Sequence, residues 1–209
     1  MGEAVTTRIE SGIAWVQIDD GKVNAMSPEL LGQIGAALGE AEEAKAVAVL
    51  RGRDGIFSAG FDLRVFQRGP EESRRMVRMG AELILRILGF PYPVMTVATG
   101  HAYPMGAFLM LAADARLALD GPWKFGLNET AIGLTVPQFA VELARHRLSP
   151  PAFARVSAGT LMDPDGALRA GYVDAVEPAD RLDGAITAEA QRLRALDGPS
   201  FTATKRRVN

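Results

Sequence analysis

The stretch from Ile87 to Ala113 carries no charged residue, and it is long enough to cross a bilayer. Prolines and glycines interrupt it at Pro91, Pro93, Gly100, Pro104 and Gly106. A lipid-exposed helix would leave backbone groups without partners at so many breaks. The stretch therefore predicts a buried strand, a turn and a buried helix, and no membrane span.

Apolar runs rich in β-branched residues alternate with helical patterns along the chain. Ala46–Gly52 and Pro93–Gly100 are typical of buried strands, and Pro70–Leu88 of a long helix. We also predict a hairpin around Ser11-Gly12, a helix opened by Ser27-Pro28, a helix over Gly106–Ala115, a strand in YVDAVEP and a last amphipathic helix in LDGAITAEAQRLRALD. This alternation indicates an α/β fold with parallel strand pairing. Residues 137–209 are mostly helical, and we expect the basic end TKRRVN to be a solvated tail.

The composition excludes several classes of function. Lys and Arg number 23 against 25 Asp and Glu. The chain therefore lacks the basic excess that would indicate a nucleic-acid or membrane-surface partner. The chain has no cysteine, which excludes disulfides and thiolate catalysis, and its two histidines lack the spacing of metal ligands. The N-terminus lacks a signal-peptide pattern, and we expect a cytoplasmic protein.

Two segments, VAVLRGRDGIFSAGFDLRVF and VMTVATGHAYPMGAFLML, share one plan: a buried strand, a glycine-containing loop and a helix start. If the two strands are parallel neighbours, both loops leave the sheet at the same edge, where open α/β sheets bind ligands. Gly60 and Gly106 permit tight turns, and N–H groups at a helix start can donate to a charged oxygen. The loops could thus form an oxyanion hole. Two ordinary strand-to-helix turns are the alternative.

The segment KFGLNETAIG holds one carboxylate, Glu129, between apolar residues. Such a side chain can cap a helix, pair with an arginine or face water, or it can be held inside the protein for proton transfer. Asn128 could orient it or cap a turn. Of the other polar candidates, we expect His101 to satisfy loop backbone groups, His146 to lie on a helix surface and Asp114 to be structural.

Five segments, taken in order, resemble the crotonase family of enoyl-CoA hydratases and isomerases. They are KVNAM, FSAGFDL, GHAYPMGAF followed by AADARLA, FGLNETAIGLTVP, and SAGTLMDPDGALRAGYVDAVEP. The resemblance covers nearly the whole chain. It implies a repeated ββα spiral core over residues 1–136 and a helical region over 137–209 that is short for the family. It also implies an acyl-CoA thioester substrate, no separate cofactor, and a homotrimer or dimer of trimers.

The same resemblance implies the site residues. The oxyanion donors would be the backbone N–H groups of Phe61 and Met105, which a change of side chain does not remove. Residues near the substrate would be Lys22, Val23, Ala59, Gly60, Asp62, Leu63, Gly106 and Phe108.

Carboxylates divide this family. Hydratases resemble one another in two glutamates, one of which lies six residues before an aspartate; counting back from Asp114 gives the apolar Phe108. The other position is Glu129. Two carboxylates organise the addition of water, whereas one suffices to carry a proton between two carbons. NET resembles the Δ3-Δ2-enoyl-CoA isomerases, which implies a 3-enoyl to 2-enoyl shift through Glu129. A hydratase using Glu129 alone and a catalytically silent acyl-CoA-binding protein are the alternatives.

Overall fold

The computed structural model describes residues 3–209, and its larger sheet has six strands in the order β1-β2-β3-β5-β7-β10. These strands are β1 (Val5–Glu10), β2 (Ile13–Ile18), β3 (Val47–Arg51), β5 (Val94–Ala98), β7 (Ala115–Leu119) and β10 (Ala175–Glu177). The β1-β2 pair is the antiparallel hairpin that the sequence predicts, and every other pair in this sheet is parallel. The α/β expectation with parallel pairing is confirmed.

A smaller sheet has four very short strands in the order β4-β6-β8-β9. They are β4 (Gly55–Ser58), β6 (Gly100–Ala102), β8 (Phe125–Gly126) and β9 (Leu161–Met162). Along the chain, each of β3, β5 and β7 is followed by a strand of the smaller sheet and then by a helical segment. This is the repeated ββα plan that the crotonase resemblance implies. The smaller sheet was not predicted from the sequence, because strands of two to four residues show no usable periodicity.

The helices bound these sheets. They are α1 (Pro28–Glu43), α2 (Leu63–Phe66), α3 (Pro70–Leu88), α4 (Pro104–Ala112), α5 (Gln138–Arg147), α6 (Pro150–Phe153), α7 (Pro164–Ala170), α8 (Ala179–Arg194) and α9 (Gly198–Val208). Ser27 caps α1 by accepting the Leu30 N–H at 3.2 Å, as predicted. The helix predicted over Gly106–Ala115 instead runs from Pro104 to Ala112, because proline fits the first helical position.

Apolar side chains cover both faces of the larger sheet. On β3, Val47 and Val49 face α8, whereas Ala48 and Leu50 belong to the main core beneath α1, α3 and α4. This division follows from the alternation of side chains along a strand. Both β10 and α8 come from residues 137–209, so this region completes the larger sheet and covers one of its faces.

The basic C-terminal segment is not a solvated tail, and that prediction was wrong. It lies in α9, where the Lys205 side chain is only 3% exposed and its Nζ lies 2.5 Å from the Asp114 carboxylate. Arg206 and Arg207 on the same helix are exposed. Asp114 is structural, as predicted, because it also accepts the Val94 N–H at 2.8 Å.

The uncharged stretch from Ile87 to Ala113 forms the end of α3, then β5, β6 and α4. Within residues 3–209, no helix is both long and apolar enough to cross a membrane.

Candidate active site

The two glycine-containing loops lie side by side. Strands β3 and β5 are parallel neighbours, which is the condition that the prediction set. Strands β4 and β6, which follow them, are also parallel, with Ser58 opposite Ala102, so both loops leave at one edge. The Tyr103 N–H donates to the Ser58 carbonyl at 2.9 Å. A Cβ on Gly60 would lie 3.8 Å from the Met105 nitrogen, and φ of Gly60 is +92°. Glycine is therefore favoured here by the left-handed backbone and by the close approach of the second loop.

Two backbone N–H groups are free at this edge. The residues on either side of Phe61 bond to Met26, through the Gly60 carbonyl at 2.8 Å and the Asp62 N–H at 3.2 Å. Met105 lies in the first turn of α4, where N–H groups have no acceptor within the helix. Neither the Phe61 nor the Met105 N–H donates to any group within residues 3–209. Free, fixed donors of this kind can stabilise an oxyanion.

A buried hydrogen-bond network holds the first loop. The Ser58 hydroxyl donates to the Asn24 carbonyl at 2.8 Å and accepts the Gly60 N–H at 3.1 Å. The Asn24 amide donates to the carbonyls of Ile18 and Phe57. Asn24 and Ser58 are fully buried, and φ of Asn24 is +50°. Neither residue was predicted from the sequence to support the site, although asparagine tolerates this backbone region better than most side chains.

A mostly apolar cavity of about 310 Å³ opens beside the two loops. It is lined by Ala59, Gly60, Phe61, Leu63, Phe66, Val77, Tyr103, Pro104, Asn128, Glu129, Ile132, Leu134, Thr135 and Pro137. Of the predicted site residues, Ala59, Gly60, Phe61, Leu63 and Glu129 are thus brought together. The volume of the cavity is at the small end of the roughly 300–1,000 Å³ typical of ligand pockets.

The other predicted residues surround this cavity without lining it. Lys22 and Val23 are exposed, and the Val23 carbonyl accepts the Ala59 N–H at 2.9 Å. Asp62 caps α2 and forms an ion pair with Arg64. The side chain of Met105 is fully buried in the core.

Gly106 and Phe108 have packing roles on α4. A Cβ on Gly106 would lie 2.8 Å from the Ser58 Cβ, so glycine lets α4 approach β4 closely. Phe108 is fully buried and contacts Phe139 edge to face, with ring centroids 5.6 Å apart. Its side chain therefore forms part of the core behind the cavity.

Among the described residues, Glu129 is the only carboxylate that lines the cavity. It opens a 3₁₀ turn, Glu129–Ile132, which two residues separate from the end of β8, and is 5% exposed. Both carboxylate oxygens are buried and have no hydrogen-bond partner within residues 3–209. Burial raises the pKa of Glu129 to about 7. The side chain is therefore neither paired with an arginine nor exposed to water.

The neighbours of Glu129 leave its carboxyl group free. Asn128 makes no side-chain capping bond, and it is not a partner of the Glu129 oxygens. Tyr172 is buried, and its pKa is raised by burial and further by the charge of Glu129.

The two histidines have the structural roles that the sequence predicts. The Nδ1 of His101 accepts the Lys124 N–H at 3.0 Å. His146 is exposed on α5, also as predicted.

Comparison with known proteins decides the family. The model of the enoyl-CoA hydratase/isomerase family matches residues 8–208. The chain belongs to the enoyl-CoA hydratase/isomerase family. This confirms the crotonase resemblance of the sequence.

Family members with both kinds of name are similar to this chain. Rat mitochondrial enoyl-CoA delta isomerase 1 is 31% identical over 182 residues, covering 83% of this chain and 62% of the relative. A probable enoyl-CoA hydratase of Mycobacterium avium is 32% identical over 197 residues, covering 91% and 74%. The crystal structure of an enoyl-CoA hydratase/isomerase family protein from Pseudomonas syringae superimposes with a TM-score of 0.96 at 38% identity, covering 98% of this chain and 90% of that one.

The chain spans 62% and 64% of the lengths of the rat and mouse mitochondrial isomerases. The two kinds of name do not decide between isomerisation and hydration, so that choice depends on the residues of the cavity.

Proposed function

We propose that this protein moves the double bond of an enoyl-CoA thioester from the 3 to the 2 position, using Glu129 as the proton carrier. One observation carries the proposal: Glu129 is buried, has no partner within residues 3–209 and lines a mostly apolar cavity beside two free N–H groups. A carboxyl group whose pKa is about 7 can both take and return a proton near neutral pH.

The reaction follows from these groups. The thioester oxygen accepts hydrogen bonds from the N–H groups of Phe61 and Met105. Glu129 removes a proton from C2, and the electron pair of that C–H bond moves toward the thioester oxygen to give a dienolate. The two N–H groups stabilise the negative charge as it develops. The protonated Glu129 then returns the proton to C4, so the double bond becomes conjugated with the carbonyl and no atom is gained or lost.

The substrate is an acyl-CoA thioester, which lies along the edge formed by Lys22, Val23, Ala59, Gly60, Asp62 and Leu63. Coenzyme A is part of the substrate, and the proposed proton transfer uses groups of the chain alone. By its resemblance to the family, we expect the protein to assemble as a homotrimer or a dimer of trimers.

Isomerisation is favoured over hydration because the cavity lining holds one carboxylate among the described residues. Addition of water to a 2-enoyl thioester is organised by two carboxylates in the family's hydratases. Phe108 stands at the second position and packs in the core against Phe139. A water molecule in this cavity would therefore have one proton carrier and apolar walls.

The test is turnover of a 3-enoyl-CoA, followed by the rise in conjugated-enoyl absorbance, in wild type and Glu129→Gln. We expect the rate constant to fall roughly 10²–10⁴-fold in the variant, the usual contribution of a positioned general base. Binding of a saturated acyl-CoA should persist, which would show that the cavity is intact. A wild type that binds acyl-CoA without turnover would favour the silent binder.

Hydration is tested on the same preparations with a 2-enoyl-CoA, whose conjugated absorbance falls when water adds. We expect no hydration by wild type. Hydration that is faster than isomerisation would overturn the proposal in favour of a one-carboxylate hydratase.

A further inference from the structure

The side chains of the two proposed oxyanion residues meet at one point on α3. A Cβ on Gly80 would lie 2.6 Å from Cζ of Phe61 and 3.1 Å from the sulfur of Met105. Gly80 is buried and its φ lies outside the left-handed region, so its backbone does not require glycine. The Phe61 ring instead fits into the space that a Cβ at position 80 would occupy.

The Phe61 ring lies between Gly80 and the cavity. Phe61 lines the cavity together with Phe66, and the two rings pack edge to face with centroids 6.4 Å apart. Val77 lines the same wall and precedes Gly80 by three residues, so both lie on one face of α3. Met105, whose sulfur contacts the same position on α3, is fully buried. The ring therefore bounds the cavity on the side of α3.

We infer that Phe61, seated against Gly80, sets the longest acyl chain that the cavity accepts. The inference rests on the proposed function for its ligand, an acyl-CoA. A chain that extends from the oxyanion donors reaches apolar walls, among them the ring of Phe61. Each methylene group that fits should raise affinity roughly fourfold, the equivalent of burying one CH₂, and methylenes beyond the ring should add nothing.

Two substitutions move this limit in opposite directions. Phe61→Leu removes the tip of the ring and retains the backbone N–H, so the cavity should deepen. Gly80→Ala places a methyl group 2.6 Å from Cζ of Phe61, whereas carbon atoms pack at roughly 3.5–4.0 Å. The ring must therefore swing by about 1 Å, and the cavity is the open direction.

The experiment measures binding of saturated acyl-CoAs of increasing length, from butanoyl-CoA to hexadecanoyl-CoA, by calorimetry. In wild type, affinity should rise with length and then reach a plateau. The plateau should begin at a longer chain in Phe61→Leu and at a shorter chain in Gly80→Ala. The double variant should follow Phe61→Leu, because leucine does not reach the new methyl group. Gly184→Ala on α8 is the matched control, since its Cβ would meet no atom of residues 3–209 within 4 Å.

The same plateau in wild type and Phe61→Leu would overturn the inference, and so would binding that is independent of chain length. If Gly80→Ala alone does not fold, Phe61→Leu and the double variant still decide. Turnover of 3-enoyl-CoAs of the same lengths separates the two proposals. A shifted binding plateau without turnover removes the isomerase and retains the length limit, whereas turnover with an unshifted plateau does the reverse.

Discussion

Glu129 and Asp114 are both largely buried, but within residues 3–209 only the Asp114 carboxylate has partners. The Asp114 side chain is 13% exposed, pairs with Lys205 and accepts the Val94 N–H. Glu129 is 5% exposed and has no partner for either oxygen within residues 3–209. Burial alone therefore does not mark a functional carboxylate. Burial without a partner, at the wall of a cavity, is the feature that distinguishes Glu129.

The largest expected effect on stability is at Asp114. Lys205→Met leaves its carboxylate without a counter-charge, and we expect the free energy of unfolding to fall by about 3 kcal/mol, as when one partner of a buried pair is removed. Denaturant unfolding measures this loss. Activity per folded molecule should be retained, because the pair lies outside the cavity lining.

The double variant Asp114→Asn with Lys205→Met sharpens this prediction. It removes both charges, so much of the lost stability should return. A double variant as unstable as the sum of the two single variants would show that the ion pair is not what holds α9 in place.

At Glu129 the expected effect on stability has the opposite sign. Its pKa is about 7 in the folded protein and near 4.5 when unfolded. Below pH 4.5 both states bind the proton, and stability falls as pH rises from 4.5 to 7 because only the unfolded state readily releases it. Glu129→Gln removes this loss and should be more stable than wild type by up to ~3 kcal/mol at pH 8.

The two proteins should unfold at equal denaturant concentrations near pH 4. A difference between them that does not change with pH would mean that the ionisation of Glu129 is not coupled to folding.

A smaller effect is expected in the pH profile of kcat/KM. Proton removal from C2 requires the ionised Glu129, so kcat/KM should rise about tenfold per pH unit below pH ~7 and level off above it. Rates for a 3-enoyl-CoA in overlapping buffers give this profile. A midpoint near 4.5, the ordinary value of a glutamate, would show that the carboxylate is better solvated than its burial indicates.

The smallest effect is expected in the network beneath the first loop. Ser58→Ala removes the acceptor of the Gly60 N–H and the donor to the Asn24 carbonyl. We expect a loss of about 1–3 kcal/mol in unfolding free energy, the cost of buried polar groups left without partners. Thermal denaturation measures it, with Ser157→Ala on the exposed surface as the control. Equal midpoints in the two variants would contradict a supporting role for Ser58.

The sequence predicts those parts of the molecule that depend on local pattern. Strands of five or more residues such as β3 and β5, and the long helix α3, were predicted with bounds close to those observed. Glu129 was singled out as a lone carboxylate between apolar residues, and the NET motif around it resembles the family's isomerases. The five-residue strand β7 was not predicted, and its first residue, Ala115, was placed in the preceding helix.

Contacts between particular side chains that are distant in sequence could not be predicted. Lys205 was assigned to a solvated tail because its carboxylate partner lies 91 positions away. The bond between Ser58 and Asn24 joins residues 34 positions apart. The space that Gly80 provides for the Phe61 ring likewise depends on how α3 packs on the loops. Local periodicity carries no information on such pairs.

The free N–H groups of Phe61 and Met105 belong to the peptide backbone. The group that would stabilise the oxyanion can therefore stay the same while the side chain at that position changes. Substitution at either position exchanges the side chain and leaves the donor in place, provided that the new residue is not proline. The side chain of Phe61 lines the cavity, whereas that of Met105 is buried in the core. Random mutagenesis at codon 61 should therefore yield variants that differ in the ligands they prefer more often than variants that have lost the reaction. Position 61 is where a laboratory selection for new acyl substrates should begin.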